Sequence, residues 1–207
     1  MEYFSLIMLV FTIHLLAVMS PGPDFVMVLK NALQYDRKTA VYTSLGISLG
    51  IGVHILYSLA GIAYLLQTNP NFFKLIKIFG ALYITYIGLS SFLTPNAPLS
   101  IQKQSKNGNL SPLQAVKTGF LTNILNPKAS LFFLSIFSLI IPPDTPHRIL
   151  AFISLMLMGV TFLWFSLVAV IFTHRRIIKH YEKYETYLIK FFGLILISLG
   201  IAIFFEI

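Results

Sequence analysis

The sequence predicts an all-α membrane protein of six transmembrane helices, arranged as two inverted three-helix repeats with helices 1 and 4 broken by proline. Hydrophobic residues make up 57% of the 207 residues and charged residues only 11%, against about 25% charged in soluble domains. Four stretches without Asp, Glu, Lys or Arg each exceed the roughly 20 residues that cross a bilayer. They are Tyr3–Pro23, Thr39–Phe73, Ile78–Gln102 and Ile149–His174.

Helices are expected in these stretches and their flanks, because backbone polar groups in lipid must be hydrogen-bonded within the chain. The predicted helices are about Phe4–Leu33, Thr39–Leu66, Phe72–Leu93, Pro112–Ile141, Ile149–Thr173 and Tyr187–Phe205. The polar connections are too short to fold alone. We therefore predict one transmembrane domain, 1–207, with repeat 1 at about 1–95, a cytoplasmic linker at about 95–111 and repeat 2 at about 112–207.

Basic residues predict the orientation, since cytoplasmic loops of membrane proteins are enriched in Lys and Arg. Connections 1–2, 3–4 and 5–6 with their flanks hold eleven of them: Lys30, Arg37, Lys38, Lys103, Lys106, Lys117, Arg175, Arg176, Lys179, Lys183 and Lys190. The opposite face holds three: Lys74, Lys77 and Arg148. These connections are expected in the cytoplasm and both termini outside it. The net charge of +8 then needs no nucleic-acid partner.

Several classes of chemistry are disfavoured by what the sequence lacks. There is no Cys, which excludes disulfides and thiolate metal sites. The motifs of zinc proteases, serine hydrolases and phosphate-binding loops are also missing, so neither an enzyme nor a cofactor is expected. His14 and His54 have no second ligand at metal spacing. We interpret both as polar residues that face neighbouring helices, and no metal site is expected.

The inverted repeat is predicted from two internal correspondences. Leu75–Gly80 (LIKIFG) enters the third span and Leu188–Gly193 (LIKFFG) enters the sixth, with five of six positions identical. Ser20-Pro21 interrupts span one, and Asn126-Pro127 interrupts span four at a similar depth. Three spans per half place the second half in the membrane from the opposite side, as in many secondary transporters.

Proline predicts a break in both helices, because it lacks an N–H and clashes with the preceding turn. Pro21 and Pro23 break helix 1, and Pro127 breaks helix 4. Ser20 and Asn126 are expected to cap the half-helices that follow. The amide ends of these half-helices are suited to bind an anionic group such as a carboxylate.

Two charges mark the same level of the membrane, Asp24 after the first break and Lys128 after the second. Three interpretations are open: a fixed ion pair, a polar pathway in which Asp24 binds an ammonium or a proton and Lys128 a carboxylate, or side chains that reach the cytoplasmic surface. The pathway would be completed by polar or permissive residues of the same two helices: Ser20, Gly22, Asn31, Asn123 and Asn126.

Small residues on the second span predict close helix packing there. Gly46 and Gly50 are four residues apart, a spacing typical of small-residue contacts between membrane helices. Ala60-Gly61 is a further pair of small residues later in the same span. Packing against a neighbouring helix is the expected role of these residues.

The two broken segments also resemble a known family. Met19–Phe25 (MSPGPDF) with Lys30–Leu33 (KNAL), and Leu121–Ala129 (LTNILNPKA) about a hundred residues later, are similar to the lysine exporter superfamily of LysE/RhtB translocators. The likeness extends over essentially the whole chain and is greatest to the homoserine and threonine efflux branch. It implies a bacterial inner-membrane exporter of amino acids that exchanges them for protons. Asp24 stands where lysine and arginine exporters have glutamine, which points to small neutral substrates.

The partners expected on this basis are an amino-acid substrate, a coupling proton bound at Asp24 and the lipid bilayer, with a homodimer as one possible assembly. A transporter of cations or other small solutes with the same architecture is the main alternative. A membrane enzyme would need a reactive constellation, and a purely structural protein would gain nothing from two breaks with charges.

Overall fold

The computed structural model describes residues 3–20, 22–68, 70–93 and 110–172, and in the last segment residues 186–187, 190–191, 193–198, 200–202 and 204–205. Several predicted features therefore lie outside the described residues. They are Pro21, the linker at about 95–111 except its last two residues, the 5–6 connection with its basic residues, and part of the second copy of the hexamer.

The first predicted helix is two helices, α1 (Phe4–Met19) and α2 (Pro23–Gln34), which meet at an angle of 56°. Gly22 is the N-cap of α2 and Pro23 is its first residue, a position where a missing N–H costs nothing. The prediction that Ser20 caps α2 is wrong. Ser20 ends α1, with its backbone N–H bonded to the carbonyl of Leu16.

The second broken helix comprises α5 (Pro112–Ile124) and α6 (Pro127–Leu139), which meet at 61°. Ser111 and Gln114 form a capping box at the start of α5, which satisfies two amides that the first turn leaves unpaired. Asn126 caps α6 as predicted, because its side chain accepts a hydrogen bond from the backbone N–H of Lys128. Both breaks lie where the prolines predict them.

Four helices remain in the described part of the chain. They are α3 (Arg37–Thr68), α4 (Pro70–Leu93), α7 (His147–Ile171) and a shorter apolar helix α8 (Gly193–Ala202). Asp36 begins α3 by accepting a hydrogen bond from the backbone N–H of Thr39 at 2.7 Å. The bounds of α3, α4 and α7 agree with the predicted second, third and fifth helices to within a few residues, since long apolar runs and prolines at helix starts are strong signals.

Helix α3 lies at the centre of the described bundle and packs against α2, α5, α6 and α7. The largest apolar cluster joins side chains of α1, α3, α6 and α7, among them Val10, Ile13, Ile51, Phe133, Ile136 and Leu157. Gly46 and Gly119 allow α3 and α5 to approach closely, because a Cβ at either position would overlap the backbone of the other helix. The packing prediction holds for Gly46 and Gly50, whereas at Gly61 none of the described residues lies within 4 Å of the Cβ position.

Two helices are long and apolar enough to cross a membrane within the described part of the chain, Arg37–Gly61 in α3 and His147–Ile171 in α7. The number rises to four when each broken pair, α1 with α2 and α5 with α6, is taken as one span. Helix α4 exposes large apolar side chains such as Leu75, Phe79 and Leu82, as expected of a surface that faces lipid. The arrangement of six spans as inverted repeats remains a prediction.

Candidate functional site

The two helix breaks meet in space. Asp24, in the first turn of α2, accepts hydrogen bonds at Oδ2 from Asn123 Nδ2 at 2.9 Å and from Asn126 Nδ2 at 3.1 Å. Lys128, in the first turn of α6, donates from Nζ to the carbonyl of Ser20 at 3.1 Å and to its hydroxyl at 3.0 Å. Each charged side chain therefore reaches across to the opposite break, and the prediction that the breaks lie together is confirmed.

Asn126 is shared between capping and charge binding. Its Oδ1 accepts from the backbone N–H of Lys128 at 3.0 Å, while its Nδ2 donates to Asp24. Both ends of the amide are thus used. Gly22, by contrast, caps α2 without a side chain, and the Lys128 side chain extends past it, with Cδ and Nζ each 3.6 Å from the position of a Cβ. The Lys128 side chain therefore lies within van der Waals distance of the N-cap of α2.

Asn123 is held from behind by His54. The Nε2 atom of His54 lies 2.9 Å from the Asn123 carbonyl, and its Nδ1 lies 2.8 Å from the hydroxyl of Tyr57. Because a carbonyl only accepts, a neutral His54 ring carries its proton on Nε2, and its Nδ1 then accepts from Tyr57. The imidazole also stacks on Phe133, with centroids 6.0 Å apart and planes at 1°. These contacts fix the turn of α5 that presents the Asn123 amide to Asp24.

A cavity of about 50 Å³ lies between the breaks, several times the ~10–15 Å³ that one water needs. Its polar lining consists of Ser20, Gly22, Asp24, Asn126, Lys128 and His14. Its apolar lining consists of Ala17, Val18, Phe25, Ile51, Ala129, Phe132, Phe133 and Phe165. Both a charged and an apolar part of a small solute would therefore find complementary walls.

The electrostatics of the cavity are bipolar. Asp24 and Lys128 both line it and interact through space. Asp24 Oδ1 is buried and has no hydrogen-bond partner among the described residues. Because a buried acceptor without a partner costs on the order of 1–3 kcal/mol, this oxygen is available to a donor that enters the cavity.

Residues 15–206 match the family model of the LysE type translocator. The chain belongs to this family. Among similar proteins, the membrane protein YrhP of Bacillus subtilis (strain 168), itself described as uncharacterized, is 30% identical over 89% of this chain and 91% of its own. The threonine efflux protein of Escherichia coli (strain K12) is 29% identical over 91% of this chain and 92% of its own.

A leucine efflux protein of Salmonella choleraesuis (strain SC-B67) is 29% identical over 65% of this chain and 63% of its own. No solved structure matches the chain. Family membership and the apolar helices agree on a multi-pass membrane transporter. The resemblance read from the two motifs is thereby confirmed.

The residues predicted for the site of this LysE type translocator occupy different places. Five of them line the cavity: Ser20, Gly22, Asp24, Asn126 and Lys128. Asn123 bonds to Asp24, while Pro23 and Pro127 begin α2 and α6 with exposed side chains. Pro21 lies outside the described residues.

Asn31 is not among the residues that line this cavity. It is buried and donates from Nδ2 to Thr43 Oγ1 at 2.8 Å, which joins α2 to α3. Its described contact is therefore with the helix packing behind the site.

His14 lines the cavity, although no sequence pattern predicted it there. It lies six residues before Ser20, about 9 Å along α1 at 1.5 Å per residue. It is fully buried, and its Nε2 lies 2.8 Å from Thr161 Oγ1 and 3.1 Å from the Leu157 carbonyl. The sequence signal that could have found it is a histidine inside an apolar helix. Only the position of α7 shows which of the two ring nitrogens has a hydrogen-bond partner.

Proposed function

We propose that this LysE type translocator is a secondary-active exporter of small neutral amino acids, threonine or homoserine among them, and that it exchanges them for protons. The single observation that carries the proposal is the cavity between the two breaks, which presents a carboxylate and an ammonium group to the same small volume. A zwitterion is the solute that matches both charges at once. The names of the threonine and leucine efflux relatives support the same substrate class.

The amino group of the substrate binds at Asp24 in this proposal. Asn123 and Asn126 both donate to Oδ2, which leaves Oδ1 as the acceptor for an ammonium N–H. The two amides hold the carboxylate in one orientation, so little ordering of Asp24 remains to be done when substrate enters.

The carboxylate of the substrate binds near Lys128 and the first turn of α2. No side chain caps that helix, and the amide end of a helix favours negative charge. Ser20 accepts hydrogen bonds from the Lys128 ammonium close to the start of α2. Substrate carboxylate would then take the place of the carbonyl and hydroxyl of Ser20 as the partner of Nζ.

Transport proceeds by alternating access, with one three-helix repeat rocking against the other about the breaks. Six spans, both termini outside the cytoplasm, and an inner-membrane location complete the proposal. A proton that enters from outside neutralises Asp24 and releases the ammonium group. The main support is that each break is bound to the other half: Asp24 to Asn126 and Lys128 to Ser20.

Neutralising the two charges, singly and together, tests the proposal. Asp24→Asn, Lys128→Met and the double variant are reconstituted in vesicles loaded with labelled threonine, and efflux is measured with and without an inward proton gradient. Each single change leaves the other charge without the opposite charge with which it interacts through space. Such a change lowers the stability of the fold, because the remaining buried charge is no longer compensated. The double variant should recover much of that stability.

The transport site and the fixed ion pair differ in the outcome for the double variant. A transport site requires both charges, so the double variant should regain stability and still export no threonine. A fixed pair serves only stability, so the double variant should export at the parent rate. Full, gradient-dependent export by the double variant would therefore remove both residues from the mechanism.

Orientation is tested with a reporter fused at the C-terminus that is active only in the cytoplasm. It should be inactive in this protein, and an active reporter would reverse the predicted topology.

Cation transport is the second candidate and has one observation in its favour: Asp24 Oδ1 has no hydrogen-bond partner among the residues that the structure describes. Among the described residues no group of three or more His, Asp or Glu side chains gathers to hold a metal ion. The Lys128 ammonium in the same cavity also repels a cation. Uptake of a labelled divalent metal by the same vesicles, abolished by Asp24→Asn, would favour this candidate over amino-acid export.

A further inference from the structure

His14 brings a second buried acceptor to the cavity. Its Nδ1 atom is buried and has no hydrogen-bond partner among the described residues, as is also true of Asp24 Oδ1. The imidazole lines the same cavity and has no exposed surface. Both atoms belong to residues that line one small cavity, and buried polar atoms without a partner are rare in proteins.

The contacts of the other ring nitrogen define what Nδ1 can do. Nε2 lies 3.1 Å from the carbonyl of Leu157 and 2.8 Å from Thr161 Oγ1. The hydroxyl can accept or donate, but the carbonyl only accepts, so a neutral ring with its proton on Nε2 fits both neighbours. Nδ1 then has a lone pair and no hydrogen. It can accept a hydrogen bond from a ligand O–H or N–H, and it cannot donate one.

The position of His14 separates it from the charged end of the cavity. Ser20, Asp24 and Lys128 lie at the breaks, whereas His14 is about 9 Å back along α1 at 1.5 Å per residue. The walls around it are apolar: Phe132 and Phe133 have ring centroids 6.0 and 5.6 Å from the imidazole. A substrate whose charged groups are held at the breaks would direct its side chain toward this apolar end.

The geometry points to His14 Nδ1 as the residue that selects amino acids with a hydroxyl on the side chain, by accepting a hydrogen bond from that hydroxyl. This inference rests on the proposed export of small neutral amino acids and names the subclass within it. A side chain of the same shape without the hydroxyl, as in valine compared with threonine, would leave Nδ1 buried and unpaired. Sites built to bind a hydroxyl reject the analogue that lacks it.

The test compares initial efflux rates of labelled threonine and valine from vesicles that contain the full chain. The ratio of the two rates is the readout, since general damage to the transporter lowers both rates together. We expect the parent protein to favour threonine by about tenfold or more, because an unpaired buried acceptor is costly. O-methylthreonine, which keeps the oxygen and loses the hydrogen, should be exported no better than valine.

Two substitutions of His14 separate the ring nitrogens. The amide of Asn places a polar atom near the position of Nδ1, whereas the longer Gln places its amide near Nε2. His14→Gln keeps a donor for the Leu157 carbonyl and should export valine and threonine at nearly equal rates. His14→Asn should retain a preference for threonine. Thr161→Val removes a neighbour of Nε2 and leaves Nδ1 in place, so it should keep the parent ratio.

The outcomes distinguish this inference from the proposed function. If the parent protein exports both amino acids and O-methylthreonine equally well, His14 does not select a hydroxyl, although amino-acid export stands. The same conclusion follows if His14→Gln keeps the parent ratio or if Thr161→Val loses it. If the parent exports no amino acid from a panel, the proposed function fails and this inference fails with it. The analogue series uses only the parent protein, so it decides the matter even if a variant does not fold.

Discussion

Replacing Gly50 by Ala tests whether Asn123, which holds the Asp24 carboxylate, is needed for transport. Gly50 lies on α3 beside Asn123, and a Cβ added there would stand 2.6 Å from Asn123 Oδ1, 2.9 Å from its Cβ and 3.1 Å from its Cγ. Such distances are shorter than real Cβ contacts, so one group must move. Asn123 cannot rotate and still donate to Asp24 at 2.9 Å. We therefore expect Gly50→Ala to break that hydrogen bond.

The expected magnitude follows from the bond that is lost. A hydrogen bond to a charged group contributes about 1.5–3 kcal/mol, which is roughly a 10- to 150-fold change in an equilibrium at 1.4 kcal/mol per tenfold. Alanine is favoured over glycine by up to about 1 kcal/mol in a helix interior. The free energy of unfolding should therefore change by less than the energy of the lost hydrogen bond to Asp24. Export of threonine should fall about tenfold or more while the protein remains folded.

Gly52→Ala is the matched control, two residues along the same helix. Its Cβ would meet only Met158 Cε and Sδ, both at 3.3 Å, and a methionine end adjusts easily. Efflux of labelled threonine from vesicles is measured for both variants and normalised to inserted protein. Gly52→Ala should export like the parent. Equal export by Gly50→Ala and Gly52→Ala would refute the assignment of Asn123 as a support of Asp24.

Two further predictions concern stability in detergent, followed by the temperature at which half of the protein loses its monodisperse state. Gly119→Ala should lower that temperature, since its Cβ would overlap the carbonyl of Thr43 and overpacking costs about 1–3 kcal/mol. Gly61→Ala, whose Cβ would meet no described residue within 4 Å, should leave the temperature unchanged or raise it. The reverse order would contradict the close approach of α3 and α5. The backbone N–H of Thr39 holds the pKa of Asp36 below its ordinary value, so Asp36 contributes stability above about pH 4 that is lost as pH falls through the lower folded pKa. Asp36→Asn should weaken this acid-dependent loss, and an identical pH profile would show that the cap contributes nothing.

The positions of the helices could be read from the sequence because lipid imposes a simple rule on it. A span must be long, apolar and uncharged, and a proline inside it breaks the helix near that proline. The pairs Pro21 with Pro23 and Asn126 with Pro127 therefore marked the breaks correctly. The choice of cap was less certain. Ser20 and Gly22 are both acceptable caps. Only the tertiary structure shows that Gly22 caps α2 and that Ser20 instead accepts hydrogen bonds from Lys128.

The candidate site could be predicted in part, for reasons that differ between residues. Asp24 and Lys128 stood out because charge is costly in a membrane. Asn31 stood out as a polar amide in the first broken helix, yet it bonds to Thr43 and is not among the residues that line the cavity. A buried amide needs a hydrogen-bond partner wherever it lies. The residue type alone therefore does not show which neighbour provides that partner.

The sequence by itself determined the class of protein, the two breaks and the charges beside them, since each depends on residues close together in the chain. The tertiary structure alone decided that Asp24 is held by Asn123 and Asn126, about a hundred residues away. It alone decided that His14, on the first helix, bonds to α7 and lines the same cavity. Within the described part of the chain its Nδ1 has no hydrogen-bond partner. Such contacts depend on how helices pack, and packing is set by many small side-chain fits that no single local pattern records.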